Sequence, residues 1–458
     1  MIPFSLSSVA SFLHAKLINT DQMINTISID SRIIGDKCLF VALKGSRFDS
    51  HDFVIQAINK GAKALLVNYY LPLNISQLVV SNTRDALGQL GFWVRHQVTT
   101  RVIAITGSIG KTSVKEMTYA ILCNNGKTIA TYGNFNNDIG VSLTLLRLSN
   151  QDDFAVIELG TSSFGEIAKT VKLVRPEIAL INNISYAHLS AFRSLLGVAQ
   201  AKGEILSGLP TGYGRCIINA DSHNWLLWRD LLHYKLVWRF SLRAMYKVDF
   251  FATNIVCNNN GVRFTFHTPQ GKCNISLPLL GYHNVANALA AGALAMSVGI
   301  SLLDISIAFK SVKLLPGRLY PIVLSPYKVL LDDSYNSNIG SMMAAIQVLK
   351  VMPGYRVMVV SDMMELGTNR EGMMYHSYIG KIIAMSNIDV VLSIGYLSFF
   401  LSKASGCGKH FYDRKLLVIY LMRLLMNYEV ITVLVKGSRV FAMDNIVKEL
   451  QETWLCYY

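Results

Sequence analysis

The stretch Arg101–Ser113, RVIAITGSIGKTS, admits few local structures. Val102–Thr106 is a β-branched and apolar run of the kind that fills a buried strand, and Gly107 and Gly110 then open a tight turn. Beyond Lys111-Thr112-Ser113, the residues Val114, Met117, Ala120 and Ile121 fall at helical spacing, so the unit reads strand, glycine loop, helix. That order builds a phosphate cradle. Glycines let backbone N–H groups approach phosphate oxygens, the helix N-terminus adds partial positive charge, Lys111 reaches terminal phosphates, and the Thr112 hydroxyl suits Mg²⁺. The nucleotide-binding candidates are therefore Thr106, Gly107, Ser108, Ile109, Gly110, Lys111, Thr112 and Ser113. One spacing is unusual: the general phosphate loop has its leading glycine where this chain has Ile105, and the leading glycine here is Gly107.

A chain of 458 residues exceeds what one core usually supports and predicts two to four domains. Residues 1–98 read as a small α/β unit, with strand runs Cys38–Leu43 and Ala64–Val67 around a helical segment Val54–Ile58. The loop Lys44–His51, with Lys44, Arg47, Asp49 and His51, is a ligand rim or a solvated turn, and Asp30-Ser31-Arg32 carries the same two readings. From residue 99 the strands and helices alternate as in a doubly wound parallel sheet, with strands predicted at Lys127–Thr131, Phe154–Leu159, Glu177–Ile181 and Arg215–Asn219. Their polar ends mark where ligands collect. Glu158 closes an apolar strand where a carboxylate can reach nucleotide-bound Mg²⁺ or simply meet solvent; His188, in a later loop, reads as solvated. Lys202 sits among alanine and glycine, so it is either a solvated helix lysine or a desolvated amine open to modification.

Short runs between 248 and 277 predict an antiparallel flap, and the helix beginning near Gly281 is expected to take Asn284 as its cap, with His283 and Asn287 on one face. Leu315-Pro316-Gly317-Arg318 punctuates a boundary, after which a second open α/β sheet runs through Tyr327–Asp332, Arg356–Val360, Ile388–Ile394 and Ile431–Val435. The domains expected are 1–98, 99–315 and 316–458.

Composition excludes more than it assigns. The net charge of +14 is spread along the chain without basic runs, which argues against a nucleic-acid partner and fits a protein handling phosphates and carboxylates. Seven scattered cysteines without metal-like spacing predict buried thiols in a reducing compartment, with no disulfide and no zinc. The first residues lack a basic region and cleavage site, so the expected location is cytoplasmic. His283, Asn284 and Asn287 interrupt the uncharged stretch Leu277–Leu303, which reads as a packed helix rather than a membrane insertion.

The strings TGSIGKTSVKEM, GNFNNDIGVSLTLL, FAVIELG, AHLSAFRSLLGVAQAKGEI, GYHNVANALAA, PGRL, DDSYNSN, DMMELG and VLVKGSR occur in the order found in Mur ligases, which the chain resembles. DSRIIGDKCLFVALKGSRFDSHDF extends the resemblance to almost the whole chain, and the string Asn134–Asn137 places it nearer the D-alanyl-D-alanine-adding branch than another Mur ligase or a folylpolyglutamate-synthase-like enzyme. The shifted glycine is the spacing that family uses. The resemblance implies an α/β fold of three domains: a UDP-sugar-binding unit, a central P-loop-type ATPase with a mostly parallel sheet, and a C-terminal Rossmann-like unit. It implies a monomeric ligase using ATP and Mg²⁺ on a UDP-N-acetylmuramoyl-tripeptide and D-alanyl-D-alanine. By matching motif, Lys111 and Thr112 hold phosphates and metal, Glu158 and His188 are metal ligands, and Lys202 is the lysine that CO₂ carbamylates. Asn287, Arg318 and Asp333 are placed around ATP, Asn336 and Lys436 on the third domain's face of the site, and Ser31, Arg32, Lys44, Asp49 and His51 on the UDP-sugar. Ser162-Ser163 stands where many relatives have Asn-His.

Overall fold

The computed structural model describes residues 1–45, 48–186, 188–243 and 247–457, with the side chains of 223–225, 456 and 457 outside the description. Three main sheets follow one another along the chain. The first orders Lys16–Ile18, Ser76–Val79, Ala64–Val67, Cys38–Val41 and Thr26–Ser28, parallel except at its first pair. Cys38–Val41 and Ala64–Val67 are buried throughout, which is why each reads as an unbroken apolar run.

The central sheet has nine strands. Arg101–Thr106 lies between Phe154–Glu158 and Ile178–Ile181, parallel to both, so three strand ends converge beside the phosphate loop. The segments expected as an antiparallel flap, Phe250–Asn258, Gly261–Thr268 and Gly271–Leu277, are antiparallel to one another and continue this same sheet, because Phe250 and Phe251 pair with Phe240 and Ser241 of Leu236–Ser241. Their apolar faces pack against the helix His283–Ser297. Small residues let that helix lie close: a Cβ on Gly292 would sit 2.6 Å from the Phe266 ring. The uncharged stretch is thus a buried core helix, and among the described residues no helix is long and apolar enough to cross a membrane.

The third sheet orders Tyr320–Ser325, Lys328–Asp333, Ile431–Lys436, Tyr355–Ser361, Val390–Ile394 and Gly408–Phe411, parallel after an initial hairpin. Chain enters it through Gly317 (φ 76°) and Leu319 (φ 52°). At the other junction, helix Thr83–His96 packs on Asp138–Leu146, and one apolar cluster runs without a break from Phe4 to Leu232. Arg84 adds two bonds of 2.6 Å to Asp138 across that junction.

Candidate active site

The convergent strand ends open into a cleft of about 370 Å³ between the central and third units. On its floor, Gly110 adopts φ 78° and starts the helix Lys111–Cys123, and Lys111 Nζ donates to Gly107 O at 2.7 Å. Burial pushes the Lys111 ammonium below its ordinary pKa; Glu158 opposes the shift and Arg318 adds to it. The loop is pinned from the neighbouring strand end. Asn183 accepts from Ile109 N at 2.9 Å and donates to Ile109 O at 2.9 Å, while Asn182 donates to Ile109 O at 3.0 Å and to Asn287 Oδ1 at 3.1 Å. Ser108 Oγ donates to Ser185 O at 3.1 Å, and Thr106 Oγ1 to Leu159 O at 2.9 Å.

Gly110 is constrained twice. Its backbone is left-handed, and an added Cβ would lie 2.5 Å from Asn287 Oδ1. Gly110→Ala is therefore expected to cost about 1–3 kcal/mol through backbone strain and the displaced asparagine, read as a lowered Tm, with weaker nucleotide binding by calorimetry.

Glu158 is 1% exposed. Its Oε1 accepts from Asn136 Nδ2 at 2.7 Å, and its Oε2 is buried without a partner. An orphaned carboxylate oxygen beside a hydroxyl-bearing phosphate loop fits a hard cation, since leaving it unpaired is costly. Among the described residues no group of three or more His, Cys, Asp and Glu side chains is gathered to hold a metal. That donor set matches Mg²⁺, which takes one or two carboxylates and completes its shell with phosphates and water.

The third unit forms the roof. An Arg318 guanidinium nitrogen donates to Thr112 Oγ1 at 3.0 Å, and the guanidinium lies 4.2 Å over the Tyr335 ring. Lys436 Nζ donates to Asp333 Oδ2 at 2.6 Å and to Asn336 O at 3.0 Å, tying three of the expected residues into one knot around the buried Lys436. Burial raises the Asp333 pKa even against the Lys436 charge. His188 has left-handed backbone (φ 53°), and its Nδ1 meets Glu365 of the third unit. That hydrogen bond and charge hold the Glu365 carboxyl below its usual range.

Lys202 is 2% exposed in the helix Leu195–Gly203 and does not line the cleft. Burial, with Lys111 behind it, holds its pKa well below that of an ordinary lysine. Asn287 lines the cleft and donates to Asn284 Oδ1 at 2.9 Å. Asn284 is no cap: the helix starts one residue earlier, and Asn284 Nδ2 turns back to Leu280 O at 2.8 Å. His283 shares the cleft, and burial with the Lys436 charge lowers its pKa to about 4.

None of the five N-terminal candidates lines this cleft. Ser31 Oγ donates to Gln56 Oε1 at 2.6 Å, and Arg32, whose side chain is 79% exposed, grips Asp30 at 2.9 and 2.7 Å. Those bonds hold the Asp30 carboxyl at about 2. Lys44 bridges Asp49 through the backbone. His51 is buried with both ring nitrogens engaged, one with Asp49 Oδ1 at 2.5 Å and the other accepting from Asn68 N at 3.1 Å. Arg47, expected in the same loop, lies outside the described residues. Asn136, Asn182, Asn183 and Glu365 were not singled out as site residues, although the asparagine string 134–137 and the polar ends of strands were visible.

Residues 105–295 match the Mur ligase middle domain, and residues 23–90 match the catalytic domain of the Mur ligase family. Over 456 residues the chain is 52% identical to the UDP-N-acetylmuramoyl-tripeptide–D-alanyl-D-alanine ligase of Escherichia coli K12, covering 100% of both chains. The chain belongs to the Mur ligase family. Solved Mur ligases superpose on it along their length. A MurF crystal structure from Acinetobacter baumannii is 35% identical, covers 98% of this chain and 99% of its own, and gives a TM-score of 0.92. A structure named UDP-N-acetylmuramoylalanyl-D-glutamyl-2,6-diaminopimelate–D-alanyl-D-alanyl ligase, from the same organism, is 35% identical over the same shares with a TM-score of 0.88. The Mur ligase architecture of three α/β units expected from the resemblance is the one found.

Proposed function

We propose that this Mur ligase joins D-alanyl-D-alanine to a UDP-N-acetylmuramoyl-tripeptide, using ATP and forming ADP, in cytoplasmic peptidoglycan precursor synthesis. The observation that carries this reading is the 52% identity to a ligase of that name across the full length of both chains.

The tripeptide's terminal carboxylate oxygen attacks the γ-phosphorus and the bond to the ADP oxygen breaks, giving an acyl phosphate. The dipeptide amine then attacks the acyl carbon, a proton leaves the nitrogen, and the tetrahedral species expels inorganic phosphate. Neither step needs a covalent enzyme intermediate; each needs neutralised charge and alignment. Lys111, half-buried at the loop, balances the phosphate charge that moves during transfer. Arg318 and Asp333 bring the third unit's charges onto the nucleotide, with Asn287 beside it, and Lys436 and Asn336, bonded next to Asp333, extend that same wall toward the peptides.

Thr112 and Glu158 are the residues here that would hold Mg²⁺, with His188 and a carbamylated Lys202 serving a second ion. The metal supplies Lewis-acid neutralisation of phosphoryl oxygens. Residues 1–98 hold the UDP-sugar through the exposed Arg32 and Lys44, while Ser31, Asp49 and the fully engaged His51 shape their loops. Residues 99–315 hold ATP, and 316–458 close the cleft.

Pure protein given ATP, Mg²⁺, UDP-linked tripeptide and D-alanyl-D-alanine is expected to release phosphate only when both peptides are present. Release without either peptide overturns the assignment.

A further inference from the structure

Three carboxylates line the cleft: Glu158, Asp333 and Glu166. Two of them have evident cationic counterparts, since Asp333 is bonded to Lys436 at 2.6 Å and Glu158 acts on the Lys111 charge. Glu166 is different. It stands half-buried at the first residue of the helix Glu166–Val174, and the bonds given to it all come from uncharged groups. Ser162 N donates to Oε2 at 2.7 Å, while Ser162 Oγ and Ser163 Oγ donate to Oε1 at 3.0 and 2.8 Å. The guanidinium that senses its charge, Arg84, is spent on Asp138 through two bonds of 2.6 Å.

Capping does not account for Glu166. Gly165 N and Ala168 N, which open the helix, donate instead to Glu204 at 2.8 and 2.9 Å. Burial alone would raise the Glu166 pKa, but the bonds from Ser162 and Ser163 outweigh it and keep the carboxyl below its usual range. A carboxylate has about four acceptor sites. The bonds that Glu166 accepts all come from Ser162 and Ser163, neutral donors, and Glu166 lines the cleft, so its charge is left for a cationic group there.

We propose that Glu166, set by Ser162 and Ser163, receives a primary ammonium of the substrate, and that this is the side-chain ammonium of the tripeptide's third residue. The inference rests on the ligase reading above. Two amines enter this cleft in that reading, and the chemistry separates them. A carboxylate paired with an ammonium stabilises its protonated form and raises its pKa. Paired with the dipeptide amine, Glu166 would suppress the free base that has to attack. A spectator ammonium carries no such penalty, and the pairing then fixes the third residue whose own carboxylate is being activated. The A. baumannii relative named for 2,6-diaminopimelate acts on a residue with such a second amine. Lysine has one as well, so the contact recognises the charge that both side chains share.

The test uses the full-length protein with two matched substrate pairs, UDP-tripeptides ending in lysine or norleucine and in diaminopimelate or 2-aminopimelate. Wild-type protein is expected to favour the amine-bearing member of the pair it turns over by about tenfold in kcat/KM, the worth of one charge-assisted hydrogen bond. Glu166→Gln, which keeps the size and most of the serine bonds, is expected to abolish that preference by raising KM for the amine-bearing tripeptide. KM for ATP and for D-alanyl-D-alanine should stay put, and Glu166→Asp should restore part of the preference. Equal use of both members by wild-type protein overturns the proposal. So does a Glu166→Gln loss that is the same for both, which would mark a structural role, or a rise confined to KM for D-alanyl-D-alanine, which would give the contact to the dipeptide. Absence of any peptide-dependent phosphate release in wild-type protein is a separate result and strikes the ligase reading instead.

Discussion

Lys111→Ala is expected to lower kcat for ADP formation by about 10²–10³-fold, the usual cost of removing one preorganised charge or donor from a developing anion. The side chain is placed for that role by Gly107 O at 2.7 Å and by a loop that Asn182 and Asn183 fasten at Ile109. Its ammonium is half-buried and partly desolvated, so its Coulombic effect on phosphate is less screened than in water. Folding should survive, because alanine removes a desolvated charge and one hydrogen bond. A single-turnover measurement of acyl-phosphate formation, alongside a thermal melt, separates these effects. A melt near wild type with a drop smaller than tenfold would remove Lys111 from the phosphoryl-transfer step.

Lys202→Ala is expected to cost about 10–100-fold in activity, as for outer ligands of a metal site. Burial and the Lys111 charge hold the Lys202 pKa well down, so its amine stays unprotonated at a pH where an exposed lysine is charged. That free amine can take up CO₂, forming an N–C bond and releasing one proton, so that a neutral amine becomes an anion suited to a metal. Short carboxylic acids such as acetate should restore activity to the alanine variant but not to Lys111→Ala. CO₂-depleted buffer should reduce wild-type turnover, with the loss deepening as pH falls and the amine protonates. Full activity of the unrescued variant would show that Lys202 carries no such group.

Much of the fold was legible because buried parallel strands leave unmistakable apolar runs. Ala64–Val67 and Arg215–Asn219 are where the pattern puts them, and Phe154–Glu158 is shorter by a single residue. Leu236–Ser241 and Gly408–Phe411 escaped notice, since Arg239, Lys409 and His410 break their periodicity. The missed Leu236–Ser241 is also why the antiparallel segments after it read as a flap: it is the strand that joins them to the central sheet. The phosphate loop was legible in full because its chemistry is local. The roof of the site was not. Arg318 meets Thr112 across 206 residues, and His188 meets Glu365 between separate units, so no local periodicity encodes either pair. Asn284 misled because a capping residue and a buried helix residue that bonds its own turn have the same sequence.

The unbroken apolar cluster from Phe4 to Leu232 has a mechanical consequence. Close-packed interiors resist shear, so the first two sheets are welded into one rigid body. The third sheet has its own clusters, met from the central unit by Leu280 and by the Tyr186 ring against Tyr375, and its chain arrives by a single crossing at Gly317. Polar latches at Thr112 and His188 hold it there, and such contacts exchange for water at little cost. Among the described residues the packing thus groups the three main sheets into two bodies, a block carrying the phosphate loop and a third unit on one tether. The two bodies meet at the phosphate loop itself, through Arg318 on Thr112.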